Sequence, residues 1–357
     1  MRFNPALPLM LSLSLFALTG CDALFTAPSP GDEQKNTQDQ ETKDVTDETK
    51  PTTTYMYALN GLGKTIDEIN LKTMGVSKGV MTTGLYPNQL LSLGVVTWLV
   101  NSGDNNLVKL DLRARKTLAT INLDVGANPS TITMIGGDKA LVTNSVANNL
   151  SFVDLTTAAT ESTLVVSPGS PFFGPAVTNG KAYVPSDKWD DSWTALEFSG
   201  IYVIDLATKT VTKTITLEAD ANPGNVSVAP SGKVWVGVKS GLVSIDPATD
   251  QTVDSLDFGQ KVTHVQYVSE TKAYGKVDGG LVSFNPSTGA ILKNTSSKIA
   301  AEVDGAGAFK IFKGVGYVSH FGKDTVSVIN LVTEAASGSP ISVGDGPQDL
   351  TFITVED

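Results

Sequence analysis

Apolar and polar positions along residues 55–357 alternate in short runs separated by turns rich in Gly, Asn, Asp and Thr, the pattern of many half-buried strands. The runs repeat. One strand class carries an aromatic or aliphatic anchor followed by small and β-branched residues: Tyr57, Trp98, Leu141, Tyr183, Trp235, Tyr274 and Tyr317. The strand after it ends in an apolar residue followed by Asp or Asn, at Asn70, Asp111, Asp154, Asp205, Asp246, Asn285 and Asn330. Successive Asx positions lie 41, 43, 51, 41, 39 and 45 residues apart, a period near 43. An Asx side chain at a strand end bonds backbone amides two residues on, so these residues are expected to cap turns rather than do chemistry. A third landmark is a Pro leading into another apolar strand: Pro87, Pro129, Pro223 and Pro347, with Pro175 displaced. Lys261-Val262-Thr263 and Ala306-Gly307-Ala308 replace it in the last two junctions.

Four short strands per repeat cannot bury both faces alone, and radial closure of seven such units hides them. The expected fold is therefore all-β: a seven-bladed β-propeller of four-stranded antiparallel blades. The pattern begins on the second strand of a repeat (Tyr55–Asn60) and ends on a first strand (348–355), so the C-terminal strand should complete the N-terminal blade. Composition agrees, with 33 Gly in 357 residues and only 18% charged. The net charge of −11 argues against a broad grip on nucleic-acid phosphates. One Cys excludes an intrachain disulfide and a Cys-rich zinc cluster, and two His leave little for metal or general-base chemistry.

The stretches Val-Asn-Ser-Gly-Asp-Asn-Asn-Leu-Val-Lys-Leu-Asp (100–111) and Ser-Val-Gly-Asp-Gly-Pro (342–347) resemble the YVTN family of β-propeller repeats, and the likeness extends over 55–357. Tyr-Gly-Lys-Val (274–277) and Trp-Val-Gly-Val (235–238) depart from it by lacking the usual Asn. The resemblance implies the architecture and leaves activity open, because propellers host many functions. It also implies that the face carrying the Pro-led turns is the one that takes ligands. Two features of that face are irregular. Repeat four has an insertion of about nine residues between its second and third strands, within Ser186–Phe198. There Trp189, Trp193 and Phe198 either fold onto the blade or form an apolar partner-binding patch. Asp187, Asp190 and Asp191 are candidate Ca²⁺ ligands without EF-hand spacing, or simply solvated acids. Two residues after each landmark Pro, Gln89, Thr131, Asn225, His264 and Asp349 should ring the channel mouth. His264 with Asp349 is the candidate pair for a small polar ligand or for acid–base work. His320, on a second strand, is expected at the surface or between blades.

The N-terminus reads as an address. Arg2 precedes an apolar run from Leu7 to Leu18, too short to span a bilayer and suited to a secretory signal. It ends in Leu18-Thr19-Gly20-Cys21, which resembles a bacterial lipobox, implying lipidation of Cys21 and export to the cell envelope. Several acyl chains would anchor durably. Residues 22–54 hold eight acids and three lysines with almost no large apolar residue, the composition of a disordered tether. No Cys-x-x-Cys-His, Gly-rich phosphate loop, Gly-x-Ser-x-Gly or His-Glu-x-x-His motif occurs. The leading expectation is a monomeric, lipid-anchored envelope protein that binds a protein, peptide or small ligand without catalysis. An envelope enzyme of quinoprotein-like or lactonase-like type at the channel mouth is the alternative, and a metal-handling or surface-layer role the third.

Overall fold

A computed structural model describes residues 50–357 except 193 and 301–306; the signal segment, Cys21, most of the acidic tether and Trp193 lie outside the described residues. Seven antiparallel sheets follow one another along the chain. We number the blades by their second strands. Blade 1 comprises Thr52–Asn60, Thr65–Asn70 and Gly75–Thr82, and its innermost strand is Pro347–Glu356 from the C-terminus. The ladder between the two termini runs from Thr52↔Glu356 to Asn60↔Pro347, so it takes in Thr52–Thr54 at the end of the tether. Blades 2 to 7 open with innermost strands Pro87–Leu93, Pro129–Gly136, Ala176–Thr178, Val226–Val228, His264–Ser269 and Phe309–Phe312. In blades 6 and 7 the outermost strand is broken into two short pieces, such as Ile291–Lys293 and Ile299–Ala300.

The core is divided among the junctions between blades. Seven apolar clusters occur, each drawn from two adjacent sheets. The cluster containing Met56, Ala58 and Leu350 of blade 1 together with Tyr317 and Val326 of blade 7 closes the ring. Every repeat anchor is buried, and several tie one blade to the next through their polar ends. Tyr183 donates to Asp250 Oδ1 at 2.5 Å, Trp235 Nε1 to the Pro286 carbonyl at 3.2 Å, and Tyr274 to Glu334 Oε1 at 3.0 Å. A ring of amphipathic anchors thus supplies both apolar area and a directional bond.

The Asx residues act as the spacing implies: all seven accept bonds from turn amides two or three residues on, as Asp205 does from Ala207 and Thr208. A second polar column spans the hairpin toward the Pro-led face. Asn60, Asn101 and Asn144 donate to Thr65, Asn106 and Asn149 across the turn at 2.7–3.1 Å. His320 occupies the same column in blade 7, fully buried, with Nε2 2.7 Å from Ser327 Oγ. It braces the hairpin from a buried position, which excludes the surface half of the expectation.

Candidate functional site

The antiparallel order brings the start of each first strand and the end of each second strand to one face, seen in Ser102 N–H bonding the Tyr86 carbonyl at 3.0 Å. Gln89, Thr131, Asn225, His264 and Asp349 all line one cavity there, of about 830 Å³, at the mouth of the channel. Most of their polar capacity is already spent on the ring. Asp349 Oδ2 accepts the Leu90 N–H at 2.9 Å, and Gln89 Oε1 accepts the Ile132 N–H at 2.7 Å. Asn225 accepts from Gly174 N–H and donates to the Thr263 carbonyl, each at 2.9 Å. Thr131 shares a 2.9 Å bond with Thr143 inside blade 3. Side chains that bridge neighbouring innermost strands satisfy backbone groups that no ladder reaches.

His264 and Asp349 do not form a hydrogen-bonded pair. Lys310, on the blade between them, takes Asp349 Oδ1 at 3.1 Å, and His264 Nδ1 lies 3.3 Å from Thr263 Oγ1. Burial, with Lys276 and Lys310 nearby, holds the His264 imidazole well below its usual range, so it stays neutral at physiological pH. Lys276 is itself buried and donates to the Gly307 carbonyl at 2.5 Å.

A second recess of about 960 Å³ adjoins the mouth, and Phe172, Phe173 and Lys261 line both. Its far wall includes Asp187 and Trp189 from the blade 4 hairpin. The insertion is mostly not a loop. The second and third strands, Lys181–Trp189 and Leu196–Asp205, simply extend their ladder to Trp189↔Leu196. Asp190 closes the tip by accepting the Thr194 N–H at 2.7 Å and the Ser192 and Thr194 hydroxyls at 2.9 Å. Those bonds, the Thr194 amide first, hold its carboxyl down at about 2. Asp191 is exposed at the tip. Phe198 stacks on Tyr202 with centroids 6.0 Å apart and packs on the blade 3–4 core, the reading in which the aromatics fold onto the blade. Among the described residues no three His, Cys, Asp or Glu side chains gather into a metal-holding group.

Sequence reasoning missed Phe172, Phe173, Lys261 and Lys310. The first two sit on the connection between Ala159–Val165 and Ala176–Thr178, whose length is signalled by the displaced Pro175. Gly169 (φ +109°) lets that connection lie against the hairpin: a Cβ there would stand 2.7 Å from the Asp187 carbonyl. Ser170 and Asp187 then exchange backbone bonds at 2.6 and 3.3 Å.

No family model matches the chain, and no curated protein matches its sequence. Solved structures match its fold. A protein of unknown function from Desulfotomaculum acetoxidans aligns at TM-score 0.67 and 11% identity, over 84% of this chain and 98% of that one. A Bacteroides fragilis protein named for 6-phosphogluconolactonase activity aligns at 0.62 and 14%, over 88% and 100%. AztD from Citrobacter koseri aligns at 0.54 and 11%, over 86% and 99%. At such identities the likeness establishes the β-propeller fold alone.

Proposed function

We propose that this chain is a YVTN-type, lipid-anchored propeller of a bacterial cell envelope that binds a ligand on its Pro-led face without transforming it. One observation carries the reading. The polar residues at the channel mouth are engaged in holding neighbouring blades, and beside them lies an aromatic-walled recess with no nucleophile–base pair. An acid–base pair at the mouth would rest on His264 and Asp349; here Lys310 takes Asp349, and His264 has Thr263 Oγ1 at 3.3 Å with Lys276 and Lys310 nearby. The Citrobacter koseri and Bacteroides fragilis structures carry the same fold under dissimilar names, so the fold favours neither reading. Anchoring rests on Cys21 at the end of the apolar run.

Two measurements test this. Cells fed labelled palmitate should label the wild type and not Cys21→Ser; equal processing of both would remove the anchor. A ligand found by thermal shift should be recovered chemically unchanged after prolonged incubation. Conversion by wild type that is lost in His264→Ala would establish the enzyme instead.

A further inference from the structure

Within the recess between blades 3 and 4, two opposite charges stand unpaired. Lys261 and Asp187 both line it and both are half-buried, yet no salt bridge joins them, and among the described residues neither takes part in another. Lys261 is held only by neutral groups, with Nζ 2.7 Å from Asn222 Oδ1 and 5.1 Å from the Phe173 ring centre. Burial pulls its pKa down, and burial pushes that of Asp187 up, outweighing the Trp189 hydrogen bond to Asp187 and the attraction the two charges feel through space. Lys181, Lys233 and Lys272, similarly shielded, each meet a carboxylate at 2.6–2.8 Å.

A half-desolvated cation and anion in one recess, feeling each other through space but not in contact, describe the complement of a molecule carrying both charges. An anion alone would satisfy Lys261 while adding repulsion at Asp187, and a cation alone would do the reverse; a zwitterion satisfies both and buries no net charge. One wall is apolar, with Phe172 and Phe173 edge to face at 5.0 Å beside Trp189, Val146 and Pro168, and the rest of the lining is polar, including Asn128, Asn148 and Asn222. We propose that this recess binds a small zwitterion with an apolar or aromatic side group, of the α-amino-acid type, its carboxylate on Lys261 and its ammonium on Asp187. The proposal rests on the binding reading above and specifies its ligand class. The volume of about 960 Å³ accommodates a dipeptide as well as a single amino acid.

The test is calorimetric titration of the full-length protein with four probes: L-phenylalanine, the dipeptide Phe-Phe, N-acetyl-L-phenylalanine (anion only) and 2-phenylethylamine (cation only). At least one of the two zwitterions should bind saturably, with both single-charge analogues about tenfold weaker or worse. Lys261→Met should weaken the zwitterion about tenfold and leave 2-phenylethylamine no weaker, while Asp187→Asn should spare N-acetyl-phenylalanine in the same way. Unfolding midpoints of both variants serve as the check on folding, and the four-probe ranking on wild type needs no variant. A single-charge analogue binding as tightly as the zwitterions, or no binding by any probe, overturns the proposal. If no probe binds but another ligand found by thermal shift loses affinity in Phe172→Ser, the zwitterion assignment fails and the binding reading survives. If wild type converts a probe to product, the binding reading fails.

Discussion

Blades 2 and 4 descend from the same repeat and end differently on the Pro-led face. In blade 2, Asn101 spans the hairpin to Asn106 at 3.0 Å, and Gly103 bonds the Leu85 carbonyl at 3.0 Å, so the turn closes tightly on the preceding connection. In blade 4 the Asn position is Ser186, too short to span, and the strands run on to Trp189↔Leu196. The connection before it is longer as well and carries Phe172 and Phe173. Where the repeat keeps its internal bond, the face is occupied by its own turns. In blade 4, where the bond is given up and the strands run longer, hairpin and connection separate into a walled recess; blades 5 and 6 carry Val238 and Val277 at that position and still turn tightly, at Val238↔Gly241 and Val277↔Gly280. Irregularity in an otherwise strict repeat therefore locates the surface available for function.

The comparison is broken first by opening the ring. Deleting residues 348–357 removes the innermost strand of blade 1 and with it Leu350 and Ile353 from two inter-blade cores. Cooperative thermal unfolding should be lost by calorimetry; retention of a single sharp transition would refute closure by this strand. Trp235→Ala, in a regular blade, removes a buried indole and its bond to Pro286, at a cost of about 3–5 kcal/mol in denaturant titrations. Gly169→Ala attacks the irregular blade: the added Cβ meets the Asp187 carbonyl at a backbone angle that disfavours side chains. Stability should fall by about 1–3 kcal/mol, with the tryptophan fluorescence of the Trp189 wall changed.

A smaller effect is set by pH. His264 is held neutral in the fold, whereas an unfolded His takes up its proton near pH 6.5, so the unfolded state binds more protons below that value. Stability should fall as pH drops below about 6.5, and His264→Gln should remove that share of the slope, at most about 1.4 kcal/mol per pH unit. An identical pH profile in the variant would show that His264 takes up its proton in the fold as readily as in the unfolded chain. Least of all, replacing residues 190–195 by a two-residue turn should shift stability by under about 0.5 kcal/mol, because the described residues of the tip lie outside every core cluster. A larger loss would mean that the extended hairpin belongs to the ring.

The sequence by itself determined the ring: blade number, anchor and Asx columns, and closure by the two termini. These follow from local periodicity and from apolar faces that only a neighbour can cover. It also brought Gln89, Thr131, Asn225, His264 and Asp349 to one mouth, because strand starts share a position in every repeat. What those side chains do there was decided by tertiary structure, since a Gln accepting Ile132 N–H and a Gln awaiting a ligand are the same letter. Phe198, for which the sequence left open a patch or a place on the blade, faces the blade because the added residues lengthen a ladder whose alternation sends it onto Tyr202. Lys261 and Asp187 lie 74 positions apart, on different blades and in no shared motif. Only the packing of blade 4's hairpin and its preceding connection beside the blade 6 junction brings those two charges to one recess.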